Sequence, residues 1–466
     1  MDSPTPFGAP MKKQFLIDPD YRNLNHGSFG TPPLQILQAQ QALQTRIESA
    51  PDIFIRYNQP SAIDAARQSL ASLLNVSIET CVIVQNATTA INTVLYNLAL
   101  TRNLNPANHD AVIYFDTVYG GIERSLCALK EAFPGITLMK VSCVLPLTGE
   151  EIAERVWDAY QECTVQGIDV KVAVFETIVS NPGFRFPFER VARACRELGI
   201  LSLVDGAHGV GMIKLDLSGE GDGHRKEKGV GIDVDFFTSN CHKWLLTPRS
   251  CAVLYVHRRN QHMIRTSLPT SWGYIPPSNM TDGREPLPTV LPPTSKSPFI
   301  SLFEFVGTTD YTACACVPDA LQFRERVCGG EEKIYEYLES LAKEAGDIVA
   351  DKLGTEVLRL PVKITRYRNG EGNGKGLVHK ADVPSLTRWI ERQLIEVRTF
   401  VPVFPHGEWL WTRLSAQIYL EKSDFEWLGE VLKEILERAE EYIDTIPQPP
   451  SNPKLPLLPC FPMEWS

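Results

Sequence analysis

Long apolar runs are missing from this chain of 466 residues: no segment approaches the ~20 uninterrupted apolar residues of a membrane helix. Lys12 and Lys13 near the start are not followed by the apolar stretch of an export signal, so a soluble, unexported, cytoplasmic protein is expected. Excess positive charge is missing too. Lys plus Arg total 46 against 56 Asp plus Glu, a formal charge of −10, which argues against nucleic acid and anionic membranes as partners and leaves small molecules. There is no CxxC pair among eleven cysteines, and an odd number cannot all pair within one chain, so reduced thiols are expected. Cys314 and Cys316 lack further His or Cys at ligand spacing, so they read as packing residues and no metal site is expected. No internal repeat is visible, and no GxGxxG follows the first strand to suggest a nucleotide-binding dehydrogenase. What remains, with 43% hydrophobic and 22% charged residues, is a globular chain able to bury a large core.

Between Cys81 and His257 short β-branched runs alternate with longer amphipathic stretches, the pattern of βα units around a mainly parallel sheet. Seven strands are predicted: 81–85, 111–115, 138–142, 170–176, 200–204, 234–239 and 251–257. Only the last two lack room for a full helix between them, so the seventh is expected to run antiparallel. Ser61-Ala-Ile-Asp64 resembles a capping box, and Ser423-Asp-Phe-Glu426 is one, followed by apolar residues at helical spacing. Strands at 398–402 and 409–420 suggest a second, smaller α+β unit. The predicted organisation is an arm with a substrate loop (1–50), a large α/β domain (51–310), a small α+β domain (311–446) and a Pro-rich tail (447–466). Loops are expected at 218–229, 282–298 and 366–376, where Gly, Pro or charge accumulate.

The chemistry lies at two strand ends. Val204-Asp205-Gly206-Ala207-His208-Gly209 closes one strand, and Ser239-Asn240-Cys241-His242-Lys243-Trp244 closes a later one. If those strands are parallel neighbours, Asp205 and Lys243 emerge at the same carboxyl edge, where open α/β folds bind ligands. A pocket lysine can form a Schiff base, and an aspartate facing a pyridine nitrogen keeps it protonated, which is the chemistry of pyridoxal 5'-phosphate. Asn86-Ala87-Thr88-Thr89-Ala90 follows the first strand and opens a helix, so its free N–H groups offer a phosphate cradle. Taken singly, each is an ordinary surface cation, turn or cap; together they point to one cofactor.

These motifs resemble the class V aminotransferase family of fold-type I pyridoxal-phosphate enzymes, over about Tyr21 to Glu441. The resemblance implies that Lys243 bonds to the cofactor, Asp205 pairs with its ring nitrogen and His208 lies near its phenolic oxygen. It assigns Ala87, Thr88, Asn240 and His242 to the phosphate side and Asn181 to a position beside the ring oxygen. Gly307-Thr308 matches a motif that reaches the phosphate of a partner subunit, which implies a homodimer. Arg413 matches the arginine that grips a substrate α-carboxylate, with Asn25 and His26 of the N-terminal loop beside it. Tyr119 stands where family members place a group over the cofactor, as a stacking residue or an acid.

Asn23-Leu-Asn-His26-Gly-Ser-Phe-Gly30 and Pro51-Asp-Ile-Phe-Ile-Arg-Tyr57 resemble the isopenicillin N epimerase-like branch. Within it, Tyr119-Gly-Gly, Ser-Asn-Cys-His-Lys-Trp and Arg-Leu-Ser-Ala-Gln-Ile-Tyr-Leu are most similar to fungal hercynylcysteine sulfoxide lyases of ergothioneine synthesis. The implied reaction is β-elimination with C–S cleavage of an amino-acid-like substrate. The lyase pattern carries Gln where His208 stands, and an apolar strand where 363–380 is polar here. Epimerisation, decarboxylation with cyclisation, and transamination in a fungal secondary-metabolite pathway are the alternatives on the same site.

Overall fold

The computed structural model describes residues 3–219, 231–277, 290–292, 294–365 and 376–445. Of the expected loops, 220–229, 282–289 with 293, and 366–375 lie outside the described residues, as does the tail from 447.

Seven strands form the large sheet: β1 (Cys81–Val84), β2 (Ala111–Phe115), β3 (Thr137–Val141), β4 (Val170–Glu176), β5 (Leu201–Asp205), β6 (Phe236–Asn240) and β7 (Ala252–Val256). Their order is β1-β7-β6-β5-β4-β2-β3. β7 runs antiparallel to both β1 and β6, as the short β6–β7 connection requires, and the pairs from β6 to β3 are parallel. Alternate strand residues feed two cores. Ile113, Phe175, Val204 and Phe237 belong to one, and Val112, Val174, Leu203 and Phe236 to the other, so both faces of the sheet are covered. Cys314 and Cys316 are buried, the packing role expected of them.

A second sheet of β8 (Arg359–Thr365), β9 (Leu377–His379), β10 (Val403–His406) and β11 (Trp409–Thr412) has the order β10-β11-β8-β9. The long helices Glu331–Leu353 and Lys422–Thr445 share its core with Met11, Phe15, Leu24 and Ile36 of the N-terminal arm. The sequence reading differs here in three ways. Residues 398–402 are not a strand; Thr399 makes one bridge, to Arg22, and pairing begins at Val403. β11 stops at Thr412, and the Arg413 side chain bonds Asn25, Ser28 and Ser180. β8 and β9 are present although their segment reads as polar, for seven of their ten residues are only partly buried.

Both capping predictions shift. The C-terminal helix begins at Lys422, and Asp424 Oδ2, not Ser423, reaches back to the Glu421 N–H at 2.9 Å. Ser61 lies inside a helical run that starts at Pro51, and Asp64 pairs with Arg67 at 2.7 Å.

Candidate active site

Parallel register brings the chemistry together. Glu176 pairs with Asp205, and Asp205 with Thr238, so the ends of β4, β5 and β6 share one edge. One helical turn, Cys241–Trp244, follows β6 and carries Lys243. A cavity of about 210 Å³ opens there, lined among others by Thr88, Tyr119, Glu176, Asp205, His208 and Lys243.

Lys243 Nζ lies 3.2 Å from His208 Nε2, and the Trp244 indole N–H donates to His208 Nδ1 at 3.1 Å. Loss of water lowers the Lys243 amine to about 8, against the pull of Asp205. Asp205 Oδ1 accepts the Ala207 N–H at 2.9 Å, and burial raises its carboxyl. Burial, followed by the lysine's charge, holds the His208 imidazole well below its usual range.

At the other wall, Asn240 Oδ1 accepts the Ala87 N–H at 2.9 Å and Asn86 Oδ1 accepts the Thr89 N–H at 2.8 Å. These contacts fix the first turn of the helix Ala87–Leu100, with Thr88 exposed in the cavity wall. His242 joins that wall, its Nδ1–H donating to Cys251 O at 2.9 Å.

Arg413 is buried, and both of its terminal nitrogens are held by neutral oxygens. Its Nη2 donates to Asn25 Oδ1 at 2.5 Å and Ser28 Oγ at 2.6 Å, while Nη1 donates to Ser180 O at 3.0 Å and Oγ at 3.2 Å. Nε is buried without a partner, and burial lowers the guanidinium to about 10. Ser28 and Ser180, which hold it, line the cavity.

Five expected residues lie outside the cavity lining: Arg413 and Asn25, which reach it through Ser28 and Ser180, and His26, Asn181 and Thr308. His26 is 1% exposed and spends both ring nitrogens on the protein, Nε2 2.8 Å from Lys243 O and Nδ1 2.9 Å from the Tyr419 hydroxyl. It therefore supports the lysine's backbone rather than facing a substrate. Asn181 is exposed and outside the cavity lining, which Ile178 and Ser180 provide. Thr308 is exposed in a separate hollow of about 460 Å³ that also contains Gly307 and Thr89.

Sequence reasoning missed Glu176, Ser28 and Ser180. Glu176 is 4% exposed, and its Oε1 accepts the Tyr119 N–H at 3.1 Å. Burial and the adjacent Asp205 push its carboxyl well above the usual range, against the Tyr119 and Ser180 N–H groups. An acid ending a predicted parallel strand next to the Asp205 strand was the available signal.

The donor set fits pyridoxal phosphate: a desolvated amine for the aldehyde, a buried acid for the ring nitrogen, and a helix start with Thr88 and Asn240 for the phosphate. This fold and this site define a pyridoxal-phosphate enzyme. The model of the aminotransferase class-V family matches residues 55–272. The L-cysteine desulfhydrase-like protein lolT1 of Epichloe uncinata is 39% identical over 93% of this chain and 96% of its own length. The hercynylcysteine sulfoxide lyase of Schizosaccharomyces pombe is 29% identical over 92% and 97%. In fold, the cystine C–S lyase C-DES, solved with cysteine persulfide, superposes with a TM-score of 0.63 at 20% identity, covering 90% of this chain and 98% of that one. The chain belongs to the aminotransferase class-V family, among its cysteine desulfhydrase-like, pyridoxal-phosphate-dependent lyases. Among the described residues no helix is long and apolar enough to cross a membrane.

Proposed function

We propose that the protein is a C–S lyase that removes a sulfur leaving group from Cβ of a cysteine-derived amino acid. The observation that carries this is the buried Arg413 fork, held by neutral oxygens and with Nε unpartnered, near an amine lowered to about 8. A carboxylate supplies the charge that this fork lacks, and its two oxygens match a planar donor pair. Pyridoxal phosphate, when bound, supplies a sink for the electrons left at Cα. Asp205 gives the ring nitrogen a carboxylate partner, while Thr88, Asn240 and His242 hold the phosphate. Lys243, with its amine lowered to about 8, would take the Cα proton. Tyr119, at the exposed cavity wall, donates a proton to the departing sulfur group. The three-carbon product hydrolyses to pyruvate and ammonia.

The substrate in this reading is a cysteine conjugate of the hercynylcysteine sulfoxide type; the name of the Schizosaccharomyces pombe relative supports it, and that of the Epichloe relative supports cysteine itself. The exposed Gly307-Thr308 loop, outside the lysine cavity, supports a homodimer in which each chain completes its partner's phosphate site. The test is pyruvate formation by purified, cofactor-loaded protein with L-cysteine and with a cysteine-conjugate sulfoxide. Pyruvate from the sulfoxide but not cysteine supports the conjugate reading. A visible cofactor band with no pyruvate from either refutes the lyase and moves the assignment to epimerisation, decarboxylation or transamination.

A further inference from the structure

Resting on the assignment of Lys243 as the cofactor lysine, we propose that Trp244 is a positioning residue: its indole N–H fixes His208 as the Nε2–H tautomer and makes that imidazole a hydrogen-bond donor toward the lysine amine. An indole nitrogen donates only, so the 3.1 Å contact requires a lone pair on His208 Nδ1. The ring's one proton then sits on Nε2, which points at Lys243 Nζ across 3.2 Å. Two donors cannot share that gap, so the amine facing it must offer its lone pair.

The opposite ring orientation would set carbon atoms against both the indole N–H and the amine, losing two polar contacts in a buried place. Packing opposes that rotation as well. A Cβ added at Gly27 would lie 3.2 Å from both His208 Cε1 and Trp244 Cζ2, so the backbone of the N-terminal arm is seated against both rings. A doubly protonated imidazole is excluded by the same indole donor, which needs a lone pair on Nδ1. Lys243 when protonated, Arg413 and His26 are the titratable groups that act on the ring. The arrangement therefore sets a protonation pattern: Trp N–H to imidazole, imidazole N–H to the amine. The same Nε2–H is available to an anionic oxygen when the amine is engaged.

Trp244→Phe keeps a ring of similar shape and deletes the donor. His208 is then free to move its proton to Nδ1 and accept from the lysine ammonium, which stabilises the charged amine. The readout is the pH dependence of pyridoxal addition to full-length protein stripped of cofactor, trapped with borohydride and mapped by peptide mass. In the Trp244→Phe protein the midpoint is expected to move up by about one to two pH units, the scale of one hydrogen bond to a charged group. In a His208→Gln background, the same Trp244→Phe change is expected to move it by less than ~0.3 unit, because no tautomer is left to fix. A tryptophan analogue with sulfur in place of the ring N–H removes the donor without altering packing and should reproduce the shift. An unmoved midpoint, or an equal shift in the His208→Gln background, overturns the proposal. Label on a lysine other than Lys243 overturns the underlying assignment and the proposal with it, whereas failure to form pyruvate bears only on the lyase reading.

Discussion

Glu176 is predicted to be the keystone of the cavity wall, and two substitutions separate its hydrogen bonds from its charge. Its carboxyl accepts N–H groups from two loops, that of Tyr119 at 3.1 Å and that of Ser180, and Ser180 in turn holds Arg413. Glu176→Gln retains an oxygen for the Tyr119 N–H and removes repulsion from Asp205. Glu176→Ala leaves both donors without a partner, at about 1–3 kcal/mol each when buried, and strips methylene packing worth ~0.8 kcal/mol per group. A loss of roughly 3–6 kcal/mol follows for Ala and about a third of that for Gln. With an unfolding entropy of about 2.1 cal/mol/K per residue, a chain of this length that melts as one unit loses ~1 °C per kcal/mol. Thermal melts of cofactor-free protein should therefore fall by about 3–6 °C for Glu176→Ala and by about 1–2 °C for Glu176→Gln. In steady-state assays Glu176→Ala should also raise KM more than Glu176→Gln, because Ser180 no longer fixes the Arg413 fork. Equal melting of the two variants, or Gln below Ala, would refute the reasoning.

Arg413→Lys replaces a two-pronged donor with a point charge, and loss of one charged hydrogen bond predicts a KM higher by about 10- to 100-fold with kcat changed much less. His26 predicts an acid limb in stability. Burial lowers the folded ring to about 4, while the unfolded ring binds its proton below its ordinary 6.5. Stability is therefore lost as pH falls from about 6.5 toward 4, by roughly 3 kcal/mol in all. Urea titrations across this range should show that limb, and His26→Asn should make it shallower, leaving the part that the likewise lowered His208 supplies. Gly30 has φ +65°, and a Cβ there would lie 1.8 Å from His242 O, beside the lysine turn. Gly30→Ala should weaken cofactor retention at least ~10-fold by equilibrium dialysis, whereas Gly167→Ala, at φ +71° with no atom within 4 Å of the added Cβ, should cost backbone strain alone.

The large sheet was legible because its strands, the edge strand β3 apart, are buried on both faces and read as apolar runs, β2 and β4 to the residue. The small sheet was not. β8 and β9 are half-buried, so polar residues interrupt the signal, and β10 was displaced because Arg398, at φ +59°, is a turn residue and the residues after it make only the one bridge to Arg22 before Val403. In the site, Asp205 and Lys243 could be found because each closes a predicted strand within a recognisable motif. His26 was read one layer too far in, since its partners depend on packing against Tyr419, 393 residues away. Glu176, Ser28 and Ser180 sit in no motif, and only the parallel register and the folded loops bring them to the cavity.

The charge states of the buried groups explain why this wall can wait for an anion. Desolvation works against both ionised partners at once, lowering the amine of Lys243 and raising the carboxyls of Glu176 and Asp205. Arg413 cannot readily give up its proton, and its bonds run to the oxygens of Asn25, Ser28 and Ser180. Neutral oxygens orient the fork without cancelling its charge. A carboxylate beside Arg413 in their place would have pre-empted the substrate; among the described residues, the chain puts two hydroxyls, a side-chain amide and a backbone carbonyl there instead.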